Sequence, residues 1–265
     1  MDEVSRMKKF IKIEFIKLKR YSVVKAGVIM SALSALLSFY YSTADDGRIW
    51  TFEYFMRQVL ISNCTLFFPL IITLIAGYII TREYTNDTLK NIVTIPVSFR
   101  YLLYGKLITL LLLTIGFSLV SCITGLTISI AAGFPGISFV SICMMFFRTA
   151  MANIFIYAAV LPVILLFSCS ANNFLAGVAV AFIYGYFGTF EGTLLNYFPI
   201  KAGIILSDPG YSAEYGISYR IFPAIFSISA CLVLSFFLLA RKGRKPQTVS
   251  ATKKKKAKTA RKKGW

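Results

Sequence analysis

The chain contains no histidine, and only 11 of its 265 residues are acidic. Without histidine there is no H-E-x-x-H zinc site and no imidazole general base. No G-x-S-x-G elbow and no G-x-x-x-x-G-K-[ST] phosphate loop occurs either, so this chain is not expected to hydrolyse nucleotide itself. The five cysteines (Cys64, Cys122, Cys143, Cys169 and Cys231) are scattered through apolar segments without paired spacing. They read as small buried hydrophobes, not as a disulfide framework or metal ligands. No catalytic residue and no metal site is expected. Charge is thin as well, at 15% of residues against about a quarter in a soluble domain.

What fills the chain is apolar: 57% of residues are hydrophobic and the mean hydropathy is +0.70. Several apolar runs reach the ~20 residues needed to cross a bilayer. The expected fold is an all-α integral membrane protein with six transmembrane helices, preceded by an amphipathic interfacial elbow helix. The spans are placed at about Val23–Tyr41, Leu60–Ile80, Leu107 to just before Gly133, Ala150–Ser168, the residues after Asn173 to Phe190, and Ile221–Ala240. The polar segment carrying Asp45, Asp46, Arg48, Glu53 and Arg57 reads as a loop between the first two spans. Arg148 breaks the run from Ile137 to Ser168, which is divided into an interfacial segment and the fourth span. Residues 191–220 form the longest insert, with apolar pieces too short to span, so re-entrant or surface helices are expected there.

No Asp or Glu falls in the middle of any span, whereas ion-coupled transporters usually keep such groups deep in the membrane. Any transport by this chain would draw its energy from another subunit. The formal charge of +18 is concentrated at the ends: about a dozen basic residues follow Ala240 and another group precedes Val28. Basic residues beside spans follow the positive-inside rule, which places both termini in the cytoplasm of a multi-pass plasma-membrane protein. Around Met7 to Arg20 a helical period sets Phe10, Ile11, Phe15 and Leu18 against Lys8, Lys9, Lys12 and Arg20, with Glu14 interrupting the apolar side. Such a helix lies flat at the headgroups with its lysines toward anionic lipid. Residues 242–265 have the composition of a disordered basic tail; nucleic acid is not an expected partner.

The segment 82–106 is polar and lies between two long apolar runs. It carries Glu83, Thr88-Leu89, Ile95-Pro96-Val97-Ser98, Arg100, Leu102-Leu103 and Gly105-Lys106. This order resembles the permease subunits of type-2 ABC (ATP-binding-cassette) exporters, whose pattern is a Glu, a Thr-Leu, a Pro-[Val/Ile]-Ser-Arg and a Gly-Lys entering the third helix. Phe99 departs from the pattern by separating Ser98 from Arg100. The resemblance covers nearly the whole of residues 1–241 as one permease domain, with 1–21 as its elbow helix and 191–220 as an extracellular insert. It implies that 82–106 is a coupling helix docking on a separate ATPase subunit through Glu83, Thr88, Leu89, Ile92, Val93, Pro96, Arg100 and Lys106. ATP and Mg would be bound by that partner, and a second permease, identical or different, would complete the path. Lys8, Lys9, Phe10, Lys12, Phe15 and Arg20 would anchor the elbow at the membrane surface. Within the family the outline is similar to exporters conferring resistance to bacitracin-like or lantibiotic peptides. The rival reading is a membrane sensor or scaffold whose cytoplasmic loop binds another protein.

Overall fold

The computed structural model describes residues 11–18, 21–44, 47, 49–85, 99–167, 173–208, 210–212 and 218–242, with backbone alone at 82–85, 99–101 and 242. Among them there are helices and no strands. A short helix α1 occupies 11–18. It is followed by α2 (Ser22–Ser42), α3 (Phe52–Ser62), α4 (Phe68–Thr85), α5 (Phe99–Ala132), α6 (Phe139–Phe167), α7 (Phe174–Tyr186), α8 (Pro199–Ser207) and α9 (Ile221–Lys242).

Local chemistry explains the boundaries. Thr51 caps α3 by accepting the Tyr54 N–H, which satisfies one of the donors that a helix start leaves open. Gly133 ends α5 at φ 70°, with Gly136 at φ 91° in the same turn, a left-handed conformation that glycine adopts at little cost. Ser138 and Ser141 then exchange backbone N–H and hydroxyl contacts at 2.9 and 3.1 Å to start α6.

Consecutive long helices run antiparallel. At one end the Ile79 carbonyl lies beside Lys106, and the Tyr157 hydroxyl donates to the Leu107 carbonyl. At the other, the Phe52 N–H donates to Pro135 O, and Trp50 stacks on Phe134. We refer to these as the basic end and the far end. A large apolar core built on Ile71, Ile72, Ile75, Phe117, Ile156 and Ile204 joins α4, α5, α6 and α8. A smaller one around Phe52, Phe55, Met56 and Val59 closes the far end.

Among the described residues, five segments are long and apolar enough to cross a membrane: Ser22–Ser42, Phe52–Thr81, Leu102–Ala132, Phe139–Phe167 and Ile221–Arg241. The segment expected as the fifth of six spans is instead the 13-residue α7 with a 3-10 turn, Phe187–Thr189, short of the ~20 residues a crossing needs. Two further expectations are corrected. Glu53 and Arg57 belong to α3 and not to a loop, because Phe52, Phe55, Met56, Val59 and Leu60 recur on one face and are buried. Arg148 does not divide its run: α6 is continuous over 29 residues, since the guanidinium finds carboxylates at the far end (below).

α3 and α4 are joined without a break by a π-helical turn, Asn63–Phe67, a distortion often found at functional positions. Pro69, two residues beyond, has no N–H to offer the carbonyl four residues earlier, that of Thr65. α7 comes against this point so closely that a Cβ on Gly185 would sit 2.4 Å from Thr65 O. From there the chain turns: a Cβ on Gly188 would meet both Thr65 and Ile200, and α8 carries on toward the far end, buried from Ile200 to Ile205. Residues 199–207 are thus an inward-packed helix.

Candidate functional site

Polar side chains built into the described part of this apolar body form four sets: one at each end, one between, and one at the start of α8. At the basic end, Glu14 and Leu18 are the buried residues of α1. Position 14, which interrupts the apolar side of the helix in the sequence, faces inward. Its carboxylate accepts from Lys106 Nζ at 3.3 Å and from Lys17 Nζ at 2.8 Å. Lys106 Nζ also donates to the Ile79 carbonyl at 3.3 Å. Both members of the Glu14–Lys106 pair have side chains only 4% exposed, so the pairing offsets charge that burial removes from water. Three elements meet in this junction: α1, the last turns of α4 and the first of α5. The last two are the helices that segment 82–106 connects.

In the middle, Asn63 of the π turn donates to Asn153 Oδ1 at 2.9 Å, and Asn153 donates to Ser118 Oγ at 2.7 Å. Ser34 meets Ser121 and Ser38 meets Ser62, each at 3.3 Å. These ties link α2, α3, α5 and α6 without a charge, as interhelical hydrogen bonds do in membranes.

At the far end, Asp208, its side chain 1% exposed, accepts from Arg57 Nε at 2.6 Å and lies 3.3 Å from Arg148 Nη1. Arg148 also pairs with Glu53 at 3.0 Å, and the Gly210 N–H adds a bond to Asp208 at 3.1 Å. The end of α8 is thereby clamped to α3 and α6. Near the other end of α8, the fully buried Lys201 pairs with Glu191 at 2.8 Å and meets the Tyr211 hydroxyl at 2.8 Å. Tyr211 and Tyr219 both donate to the same carboxylate. Burial pushes the Lys201 ammonium below its ordinary pKa, and the hydrogen bond and charge of Glu191 work against that shift.

The residues singled out in the sequence are placed as follows. Thr88, Leu89, Ile92, Val93 and Pro96 lie outside the described residues, as do Lys8, Lys9, Phe10 and Arg20. Glu83 falls within α4 and Arg100 within α5, with backbone alone described. Lys106 is buried and paired as above, and Lys12 and Phe15 are exposed on α1. Glu191 and Arg148 each stand in an ion-pair cluster. Asn63, Asn153, Lys201 and Asp208 carried no sequence signal, because each is paired across the fold with residues distant in the chain. Among the described residues no cluster of three metal-ligating side chains occurs.

Among the described residues, five apolar helices of spanning length, with their buried charges gathered into ion-pair clusters, define a multi-pass membrane protein. Its sequence matches the family of ABC-2 family transporter proteins over residues 10–188, more than half of its length, and the chain belongs to that family. It is therefore the membrane component of an ABC transporter. No curated protein matches the sequence.

Proposed function

We propose that this chain is the permease subunit of an ATP-driven exporter, energised by a separate ATPase that binds ATP and Mg and docks on segment 82–106. The observation that carries the reading is the Glu14–Lys106–Ile79 junction. It ties the elbow helix to the exit of α4 and the entry of α5, the two helices that segment 82–106 connects. A push on that segment reaches α4 and α5 directly, and the buried ion pair carries it to α1. Glu83, Thr88, Leu89, Ile92, Val93, Pro96 and Arg100 form the docking surface in this reading, with both termini and this segment in the cytoplasm. Lys106 acts behind the surface, through Glu14. A second permease, the same or a different chain, completes the path. Lys8, Lys9, Lys12, Phe10, Phe15 and Arg20 hold the elbow at an anionic lipid surface.

The cargo class that suits these walls is amphiphilic or hydrophobic, since the spanning helices carry no acidic group in their middle. Peptides of the bacitracin or lantibiotic kind are the specific proposal. Purification in mild detergent tests the docking reading. A nucleotide-binding subunit should copurify with the native chain and be lost, or bound without coupling, when Glu83 and Leu89 are changed to alanine. A folded, intact chain that never brings an ATPase with it would sink the reading.

A further inference from the structure

Beside the junction at the basic end lies a groove that shares Lys12 and Phe15 with the surface anchoring proposed above and reaches inward from them. It has a volume of about 640 Å³ and is lined, among the described residues, by Ile11, Lys12, Phe15, Ile16 and Leu18 of α1, Val24 of α2 and Leu113 of α5. That volume falls in the range of small-molecule sites, roughly 300–1,000 Å³. We propose that the groove is a binding site for one anionic phospholipid. An acyl chain lies between α1 and α5, and the headgroup phosphate is held by Lys12. The proposal rests on the reading that α1 lies at the cytoplasmic membrane surface, where anionic lipids are concentrated.

Charge and shape together select this occupant. Among the described residues the lining is apolar apart from Lys12, the distribution that suits a lipid with a charged head and a hydrocarbon tail. Lys12 is exposed, so its ammonium reaches a headgroup without giving up an internal pair. Lys25, next in the chain to Val24 of the lining, is exposed as well and adds positive charge beside α1. Phe15 and Ile16 are 45% and 55% exposed; a hydrocarbon chain in the groove covers them. A neutral lipid would fill the volume and leave the cation unmatched, and a soluble anion would match the cation and leave the apolar wall bare.

Position gives the site a consequence. Leu18 lines the groove from the same buried side of α1 as Glu14, whose carboxylate holds Lys106. A lipid seated there braces α1 in the register that closes the pair. With the groove empty, the same pair holds α1 with less packing behind it.

The test uses the full chain in mild detergent, with equimolar phosphatidylglycerol and phosphatidylcholine of identical acyl chains added, and native mass spectrometry of what remains bound. The native chain should retain phosphatidylglycerol about fivefold over phosphatidylcholine, the factor expected for one basic residue at an anionic headgroup. Ile16→Trp fills the groove from its exposed side, so the fold is not at risk, and it should abolish retention of both lipids. Lys12→Gln should bring the two lipids to parity. Val233→Trp, on an exposed position of α9, should change nothing. Equal retention of the two lipids by the native chain would overturn the proposal, as would undiminished retention in Ile16→Trp. Loss of selectivity in Lys12→Gln with Ile16→Trp unaffected would overturn the groove while leaving surface anchoring of α1 intact.

Discussion

The two ends of the bundle solve the same problem, a buried carboxylate, with different cations. At the basic end Glu14 is met by two lysines, Lys17 and Lys106. At the far end Asp208 is met by two arginines, Arg57 and Arg148, and Glu53 bridges both. An ammonium is a compact point charge on a flexible stem, while a guanidinium is a flat fork whose donors are fixed in direction. The lysine junction can keep its contact while α1 and α5 rotate against each other. The arginine ring holds only one arrangement of α3, α6 and α8. The end that is read as receiving a push therefore has the adaptable contact, and the opposite end has the rigid one.

Breaking the rigid end should cost most. Asp208→Ala leaves two largely buried guanidiniums facing each other, and loss of a partner from a buried pair costs about 3–5 kcal/mol. The folded fraction in mixed micelles, followed as sodium dodecyl sulfate is raised, should show the largest drop of any single change at either end. A loss under 1 kcal/mol would mean that the ring is ornamental. Glu14→Gln should cost less, about 1.5–3 kcal/mol, because the amide keeps a hydrogen bond to Lys106 while its charge is gone. Combining it with Lys106→Met should recover part of the loss, since the second change removes a buried cation that has lost one carboxylate charge beside it; additive losses in the double variant would argue against a coupled pair. Asn153→Ala, which cuts the uncharged ties between the two ends, should cost about 0.6–1.7 kcal/mol, the range of interhelical hydrogen bonds in a bilayer. A cost as large as that of Asp208→Ala would make the middle, and not the ends, the fixed point of the fold.

Much of this was legible in the sequence. The ~20-residue apolar runs predicted three of the five spanning helices closely, Ser22–Ser42, Leu102–Ala132 and Ile221–Arg241, and the misplaced glutamate at position 14 was visible as an interruption of an apolar face. What misled was the assumption that charge marks an end. Glu53, Arg57 and Arg148 read as loop or interface because a charge in an apolar helix is costly when alone. In the fold none is alone, and the partner that makes Arg57 and Arg148 tolerable, Asp208, stands in a segment with no periodicity to announce it. The same holds for Lys201, the most deeply buried cation described, whose partner Glu191 lies beyond a turn. α7 was overextended for a related reason. Its apolar composition continues through Phe190, but Gly185 and Gly188 bring the backbone hard against Thr65 and Ile200, and the helix gives way to a 3-10 turn there.

The far-end ring also sets an order on the making of the protein. Arg57 precedes its carboxylate by 151 residues, and Arg148 too is synthesised before Asp208. Until Asp208 emerges, the growing chain carries two arginines at the far end with Glu53 as their one partner within the ring. A chain halted before that residue stays electrically unfinished, and that surplus charge distinguishes it from a completed subunit at the membrane.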